Sequence, residues 1–182
     1  MPPLRRILSR YQVRRRVKEL AAQLRADYDP TGGRLAGHQR PVFVACLKGA
    51  FVFLADLIRL VGIPLQVDFI MVSSYGMGTT SKGQITVLLD VTTDIAGRHV
   101  VLVDDIIDSG LTLQRVRDHL LARGPASLRV CALLARESVL AEGAVIDYLG
   151  FPVPPGFVVG YGIDCAEEYR QLPDIYVLEG ER

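Results

Sequence analysis

Three carboxylates and two hydroxyls lie in the short segment that follows an apolar run near the middle of the chain. The apolar run is 100–103, and the polar side chains after it are Asp104, Asp105, Asp108, Ser109 and Thr112. A buried parallel strand reads as a continuous apolar run, and ligands of open α/β sheets bind beyond the carboxyl ends of such strands. We therefore expect a binding crevice here, although Asp and Ser are also ordinary helix-capping residues.

This polar segment has the chemistry to bind three parts of one ligand. The neighbouring carboxylates Asp104 and Asp105 can accept hydrogen bonds from a vicinal diol or face a divalent cation, which prefers oxygen ligands. The turn 108–112 can direct backbone N–H groups at an anion, and a helix that begins there adds the positive end of its dipole. Gly110 lets the backbone approach closely. A diol, a metal and a phosphate together describe a ribose phosphate.

The rest of the pattern predicts an α/β protein that presents this segment at the edge of a sheet. Short apolar runs alternate with stretches of helical periodicity, which favours a mainly parallel twisted sheet flanked by helices. At 182 residues we expect one domain, 1–182. Ser9 and Gln12 have the spacing of a capping box for a first helix that ends near residue 27. Further helices are predicted at 49–60 and from the polar segment to Gly124, and strands at 41–47, 65–72, 85–91, 99–103, 128–134, 144–149, 157–160 and 175–178.

Several segments in one order carry a resemblance to a known family. Residues 100–113 resemble the phosphoribosyl diphosphate (PRPP) signature of the type I phosphoribosyltransferases, and the whole chain is similar to the hypoxanthine and hypoxanthine-guanine members. The supporting segments are 46–50, 67–69, 73–76, 97–98, 157–164, 168–170 and 172–173. The resemblance implies a fold with a small hood and a flexible active-site loop. It also implies a purine-salvage reaction, in which PRPP and a 6-oxopurine give a nucleoside monophosphate and pyrophosphate with Mg²⁺ as cofactor.

The resemblance also implies roles for the residues that match the family's PRPP-binding motifs. Asp104 and Asp105 would hold the ribose hydroxyls, and Asp108 would be the catalytic group beside purine N7. The 5′-phosphate would be bound by Asp108, Ser109, Gly110, Leu111 and Thr112. Pyrophosphate would be bound by Leu47, Lys48, Gly49 and Arg170, in a loop that often contains a non-proline cis peptide.

The purine, metal and lid residues follow from the same resemblance. Purine binding is expected of Arg136, Phe157, Val158 and Asp164, and Mg²⁺ binding of Asp164, Asp104 and Asp105. Ser74 and Tyr75 would belong to a lid within the flexible segment 73–83, which excludes water when it closes. Three positions depart from the family pattern: Asp104 stands where many members have Glu, Arg136 where many have Lys, and Leu89 where bacterial members often have Lys.

Composition limits the partners and the compartment. The net charge is +1, which gives no overall attraction to nucleic acid, and no apolar run is long enough for a membrane span. Three widely spaced cysteines fit a reducing, cytoplasmic setting. Substrates are expected to be PRPP and a 6-oxopurine, and the resemblance implies a homodimer or homotetramer. Two alternatives stay open: a PRPP-dependent transferase for another base such as xanthine, and a non-catalytic regulator that senses PRPP or a nucleotide.

Overall fold

The computed structural model of the chain describes residues 3–29, 37–73 and 86–179. These residues form two sheets and four α-helices. The helices are α1 (Arg10–Tyr28), α2 (Phe51–Val61), α3 (Leu111–Leu121) and α4 (Glu137–Ala141). The strands are β1 (Leu4–Leu8), β2 (Val42–Leu47), β3 (Gln66–Ser73), β4 (Thr86–Leu89), β5 (His99–Ile107), β6 (Ser127–Arg136), β7 (Tyr148–Val153), β8 (Val158–Val159) and β9 (Ile175–Leu178).

The larger sheet has six strands in the order β4-β3-β2-β5-β6-β7. Strands β3, β2, β5, β6 and β7 pair in parallel, and β4 runs antiparallel at one edge. The carboxyl ends of β2 and β5 are therefore neighbours, because these two strands pair from Val42↔Val100 to Ala45↔Val103. The predicted mainly parallel sheet is confirmed, and its topology brings the segment after β2 to the segment after β5.

Helices cover both faces of this sheet, which explains why its central strands are apolar throughout. Side chains of β2 alternate between the two faces. Phe43 and Ala45 pack into the core with α1 and α2, whereas Val42 and Val44 pack into the core with α3. A fully buried side chain such as Phe43 contributes about 1.5–3 kcal/mol through the area it removes from water.

The first helix begins and packs as its sequence predicts. The Ser9 hydroxyl accepts a hydrogen bond from the backbone N–H of Gln12, and the Gln12 side chain accepts one from the N–H of Ser9, so both halves of the capping box are formed. The buried face of α1 comprises Val13, Val17, Leu20, Ala21 and Leu24. No α-helix of the described ranges is both long and apolar enough to cross a membrane.

A second, antiparallel sheet of order β1-β9-β8 forms the smaller part of the fold. Its strand β8 holds Val158 and is paired with β9 through Val158↔Val177. Strand β1 was not predicted, because its five residues are mostly exposed and include Arg5 and Arg6. It forms through pairing with β9, far along the chain. The smaller sheet thus carries one wall of the expected purine pocket.

The predicted bounds of several strands were wrong, and one helix was missed. Strand β4 ends at Leu89 rather than 91, and β6 covers Ser127–Arg136 rather than 128–134. Strand β5 continues through the acidic pair to Ile107, since β6 is long enough to keep pairing with it. Strand β7 starts at Tyr148 rather than 144, because the Asp147 side chain instead accepts a hydrogen bond from Val130 N at 2.7 Å. Strand β8 is limited to two residues. Helix α4 has only five residues, too few to show helical periodicity.

Candidate active site

The acidic pair lies inside the end of β5 and lines a small cavity. Asp105 N donates to Asp104 Oδ1 at 3.1 Å, and both residues line a cavity of about 200 Å³ together with Asp108. Burial, and then the charge of Asp105, raise the pKa of Asp104 well above its ordinary value. Burial also raises the pKa of Asp105. Such a pair gains stability from a diol that donates to it or from a cation.

The turn after β5 opens toward the same cavity. Gly110 has φ +73 and precedes α3, whose N-terminus has no side-chain cap. The first N–H groups of a helix lack partners within it, so an anion can bind there. Ser109 and Thr112 line the cavity beside the acidic pair. This part of the site can hold a phosphate against backbone N–H groups and hydroxyls.

The loop after β2 lies directly against the acidic pair. The peptide bond between Leu47 and Lys48 is cis, as the family resemblance implies. A Cβ atom on Gly49 would be 1.7 Å from Asp105 Oδ2, so only glycine fits without moving that carboxylate. On the other side, a Cβ atom on Gly162 would be 2.5 Å from Gly49 O. Two close approaches therefore fix this loop between β5 and the turn after β8.

A second cavity, of about 670 Å³, adjoins the first and has an aromatic wall. Asp108 lines both cavities. The Phe157 ring is 54% exposed, which leaves a face free for a flat heterocycle. The cavity is lined further by Ile106, Arg136, Val158 and Asp164. Its shape and lining suit a purine placed next to Asp108.

Arg136 binds Asp108 and the loop that precedes Phe157. Its Nε donates to Asp108 Oδ1 at 2.7 Å, and its two Nη groups donate to Pro154 O at 2.5 Å and Gly156 O at 2.6 Å. The Arg136 side chain is only 13% exposed. The guanidinium therefore sets the position of a carboxylate and of the purine-cavity wall together.

A chain of ion pairs joins the loop after β2 to the segment that follows β8. Arg170 Nη2 lies 2.8 Å from Asp164 Oδ1 and 3.3 Å from Glu167 Oε2. Lys48 Nζ donates to Glu167 Oε1 at 3.0 Å. Hydrogen bonds from Lys48 and then Arg170 hold the pKa of Glu167 below its usual value. We refer to these four residues, Lys48, Asp164, Glu167 and Arg170, as the ion-pair network.

Comparisons with known proteins agree with this geometry. Residues 5–165 match the model of the phosphoribosyl transferase domain. The chain is 41% identical over 176 residues to the hypoxanthine-guanine phosphoribosyltransferase of Aquifex aeolicus, covering 97% of this chain and 95% of the relative. It is 42% identical over 164 residues to the hypoxanthine phosphoribosyltransferase of Escherichia coli, covering 90% of this chain and 89% of the relative.

The chain belongs to the hypoxanthine-guanine phosphoribosyltransferase family. It is thus an enzyme, a transferase of purine salvage. The solved structure of the Trypanosoma cruzi hypoxanthine phosphoribosyltransferase with its product IMP has a TM-score of 0.87 at 37% identity, covering 97% of this chain and 94% of that one. A Bacillus anthracis hypoxanthine-guanine phosphoribosyltransferase structure has a TM-score of 0.86 at 41% identity, covering 97% and 99%.

The structure places most residues predicted for this family around the two cavities. Asp104, Asp105, Asp108, Ser109, Gly110, Thr112, Leu47 and Gly49 line the first cavity, and Arg136, Phe157, Val158 and Asp164 line the second. Lys48 and Arg170 line neither cavity and belong to the ion-pair network. Leu111 is the first residue of α3. Ser74 and Tyr75, predicted for the lid, lie outside the described residues.

Two arrangements in this family member differ from the simple expectation. Among the residues that the structure describes, no group of three or more His, Cys, Asp or Glu side chains could hold a metal. Asp164 lines the second cavity rather than the first, and Arg170 and the backbone N–H of Glu167 bind its two oxygens. The sequence allows Arg170 to pair with Glu167 three residues before it, and this ion pair is present. The contact of Glu167 with Lys48 was not predicted, because 119 residues separate the two.

Proposed function

We propose that the chain transfers the phosphoribosyl group of PRPP to hypoxanthine and/or guanine, which gives IMP or GMP and pyrophosphate. The observation that supports this proposal most directly is that Asp108 lines both of the two adjoining cavities. One cavity has an acidic pair and an uncapped helix N-terminus, and the other has an exposed aromatic wall. A sugar phosphate and a purine would therefore meet at one carboxylate.

The proposed position of PRPP follows from the charge of each part of the site. Its 5′-phosphate binds the turn 108–112, through Ser109, Gly110, Leu111 and Thr112, where N–H groups and hydroxyls converge. Its ribose hydroxyls donate to Asp104 and Asp105. Its diphosphate lies at the loop Leu47, Lys48 and Gly49 and at Arg170, where two cationic side chains come together at Glu167. The sugar is thus held at both ends while its anomeric carbon faces the purine cavity.

The purine lies against Phe157, with Val158 at its edge and Asp108 beside N7. As the bond between the anomeric carbon and the diphosphate oxygen breaks, N9 bonds to that carbon and Asp108 accepts the proton from N7. The Arg136 guanidinium keeps the Asp108 carboxylate oriented and has further N–H groups for the purine 6-oxo group. Because the transition state resembles an oxocarbenium ion, positioning and charge stabilisation supply most of the catalysis.

We propose Mg²⁺ as the cofactor. The donor set fits, because burial raises the pKa of both Asp104 and Asp105 and the charge of Asp105 raises that of Asp104 further, so a cation would stabilise the pair. Asp164 is a further carboxylate, on the wall of the second cavity. Mg²⁺ keeps several waters and binds through one or two carboxylates plus substrate phosphates. When bound, it neutralises charge on the diphosphate leaving group.

The lid, assembly and compartment are further parts of the proposal. Ser74 and Tyr75 would close over the reacting sugar and exclude water. We propose a homodimer or homotetramer, supported by a groove of about 870 Å³ beside α1 and α2 whose rim includes the exposed Tyr11 and Phe51. The reduced, buried Cys46 and Cys131 support a cytoplasmic location. We also propose that residues 1–182 form one domain, because residues from both sheets contribute to the site.

A second candidate keeps PRPP and changes the purine. Arg136 stands where many members of the family have Lys, and its fork of donors is not equivalent to a lysine point charge. Xanthine presents the same 6-oxo group to this guanidinium and is therefore the alternative base. A regulator without catalysis is less favoured, because binding alone does not need Asp108 at the junction of the cavities.

The test is nucleotide formation with each base separately. The chain is incubated with PRPP and Mg²⁺ plus hypoxanthine, guanine, xanthine or adenine, and product is measured by chromatography. We expect IMP or GMP, and no AMP. Turnover of xanthine alone would establish the second candidate, and no turnover of hypoxanthine or guanine would reject the proposed function.

A further inference from the structure

We propose that Glu167 is an internal competitor for the diphosphate group, a carboxylate that neutralises the pyrophosphate-binding cations while the site is empty and must leave them when substrate binds. This inference rests on the proposed function. Its basis is that the Glu167 carboxylate bridges Lys48 and Arg170, with one oxygen directed to each. Those are the two cationic side chains to which the family resemblance assigns pyrophosphate.

The geometry of the bridge resembles that of a bound oxyanion. Lys48 Nζ lies 3.0 Å from Glu167 Oε1, and Arg170 Nη2 lies 3.3 Å from Glu167 Oε2. Two cations from segments far apart in sequence thus share one carboxylate: Lys48 follows β2 and lies 119 residues before Glu167, whereas Arg170 follows β8. A phosphate oxygen that bound both cations would compete with this carboxylate, because Arg170 Nη2 already contacts two carboxylates and the phosphate would otherwise lie against the like charge of Glu167.

Arg170 is more buried than Lys48 and Glu167, the exposed residues of the ion-pair network, and it also has a hydrogen-bond partner outside that network. Arg170 is 19% exposed, and its Nη1 also donates to Gly162 O at 2.9 Å, so its position does not depend on Glu167. The side chains of Lys48 and Glu167 are 55% and 65% exposed. Exposed ion pairs are weak and are exchanged readily. Substrate can therefore displace Glu167 while Arg170 remains in place.

The backbone keeps Glu167 near the site after displacement. Its N–H donates to Asp164 Oδ2 at 2.9 Å, and φ is +67 at Glu167 within a tight turn. The carboxylate consequently stays close enough to repel the diphosphate and to return when pyrophosphate departs. Glu167 therefore weakens binding of PRPP and pyrophosphate and speeds the release of pyrophosphate.

The experiment compares binding of magnesium pyrophosphate to the full-length wild type, Glu167→Gln and Glu167→Ala by titration calorimetry. Glu168→Gln is the matched control, because it removes the same charge from the exposed neighbouring residue. We expect both Glu167 variants to bind pyrophosphate about three- to tenfold more tightly, the size expected from two exposed ion pairs. Pyrophosphate should also dissociate more slowly from them, and Glu168→Gln should match the wild type.

The direction of the change in pyrophosphate affinity shows whether Glu167 competes with pyrophosphate or supports the cations that bind it. If Glu167 only held Lys48 and Arg170 in place, its removal would weaken binding. If both Glu167 variants are folded and bind pyrophosphate as tightly as Glu168→Gln or more weakly, the proposal is overturned. The proposed function is still supported in that case, provided that the wild type forms nucleotide. If the wild type neither forms nucleotide nor binds magnesium pyrophosphate, the proposed function fails and this inference fails with it.

Discussion

Arg136 Nε donates to Asp108 Oδ1 at 2.7 Å, and the same guanidinium binds the carbonyl oxygens of Pro154 and Gly156. One side chain thus joins the proposed proton acceptor to the loop that leads into Phe157. Its fork of donors suits three acceptors at once, which a lysine ammonium on a flexible stem does not. Arg136 in place of the family's usual Lys therefore changes the position of the positive charge beside the purine. It also adds hydrogen bonds to the loop that precedes Phe157.

The first prediction concerns base choice. Arg136→Lys keeps the charge but loses hydrogen bonds to the loop, so we expect kcat/KM for the preferred oxopurine to fall about three- to tenfold. The ratio of efficiencies between hypoxanthine and guanine should shift as well, as measured by steady-state kinetics with each base. Arg123→Lys is a matched control, because Arg123 likewise binds two loop carbonyls, of Val91 and Thr93, away from the site. An unchanged ratio would discard Arg136 as a determinant of base choice.

The second prediction concerns proton transfer. Asp108→Asn keeps the shape of the side chain but cannot accept a proton from purine N7. We expect the chemical rate in a single turnover to fall about 10²–10⁴-fold, and PRPP affinity, measured by calorimetry, to change much less. A variant that reacts as fast as the wild type would remove Asp108 from the mechanism.

The third prediction concerns the close contact between Gly49 and Asp105. In Gly49→Ala the new Cβ would lie 1.7 Å from Asp105 Oδ2, so the loop or the carboxylate must move. Forced repacking costs about 1–3 kcal/mol, and we expect PRPP affinity to fall at least about fivefold. Gly97→Ala is the control: its Cβ meets no atom within 4 Å, although φ is +67. Gly97→Ala should lower thermal stability without altering PRPP affinity. Equal PRPP affinities for the wild type, Gly49→Ala and Gly97→Ala would show that the contact between Gly49 and Asp105 does not matter for PRPP binding.

The fourth prediction concerns stability and pH at Asp68, a buried carboxylate on β3. It accepts backbone hydrogen bonds from Phe69 at 2.7 Å, Thr92 at 3.0 Å and Thr93 at 2.7 Å. Burial raises the pKa of Asp68, but these hydrogen bonds outweigh it and the net pKa lies below the ordinary value of 3.8. Because the folded pKa is lowered, the stabilisation is complete above the unfolded pKa and is lost as the pH falls through the folded pKa.

Asp68→Asn should therefore lower the free energy of unfolding by about 2 kcal/mol at pH 7. The deficit relative to the wild type should shrink as the pH falls below about 4, measured by urea denaturation across pH. Asp94→Asn, at an exposed carboxylate in the following turn, should change stability little at any pH. A deficit that is independent of pH would show that the Asp68 charge does not matter.

Sequence patterns predicted the parts of the fold in which local signals and burial agree. The apolar residues of β2 and β5 are buried on both faces, and the Ser9 capping box involves residues only three apart. The cavity composition was also predictable, because Asp104, Asp105 and Asp108 follow one strand in sequence. The family resemblance was needed to assign Phe157 and Arg170, whose local sequences suit ordinary structural roles.

What could not be predicted depends on contacts between distant segments. Strand β1 is set by its pairing with β9 near the other end of the chain, not by its own mostly exposed side chains. The extent of β5 is set by the length of β6. The bridge from Lys48 to Glu167 spans 119 residues, and Arg136 binds Asp108 across 28. No local pattern encodes such distances, so the connections within the site emerge only from the folded arrangement.

The most direct test of the account is the position of IMP in a crystal structure of the chain. The account predicts its phosphate on the turn 109–112, its ribose hydroxyls at Asp104 and Asp105, and its base against Phe157 with N7 beside Asp108. Binding of the nucleotide in the groove of about 870 Å³ beside α1 and α2, or with its base away from Phe157, would contradict it.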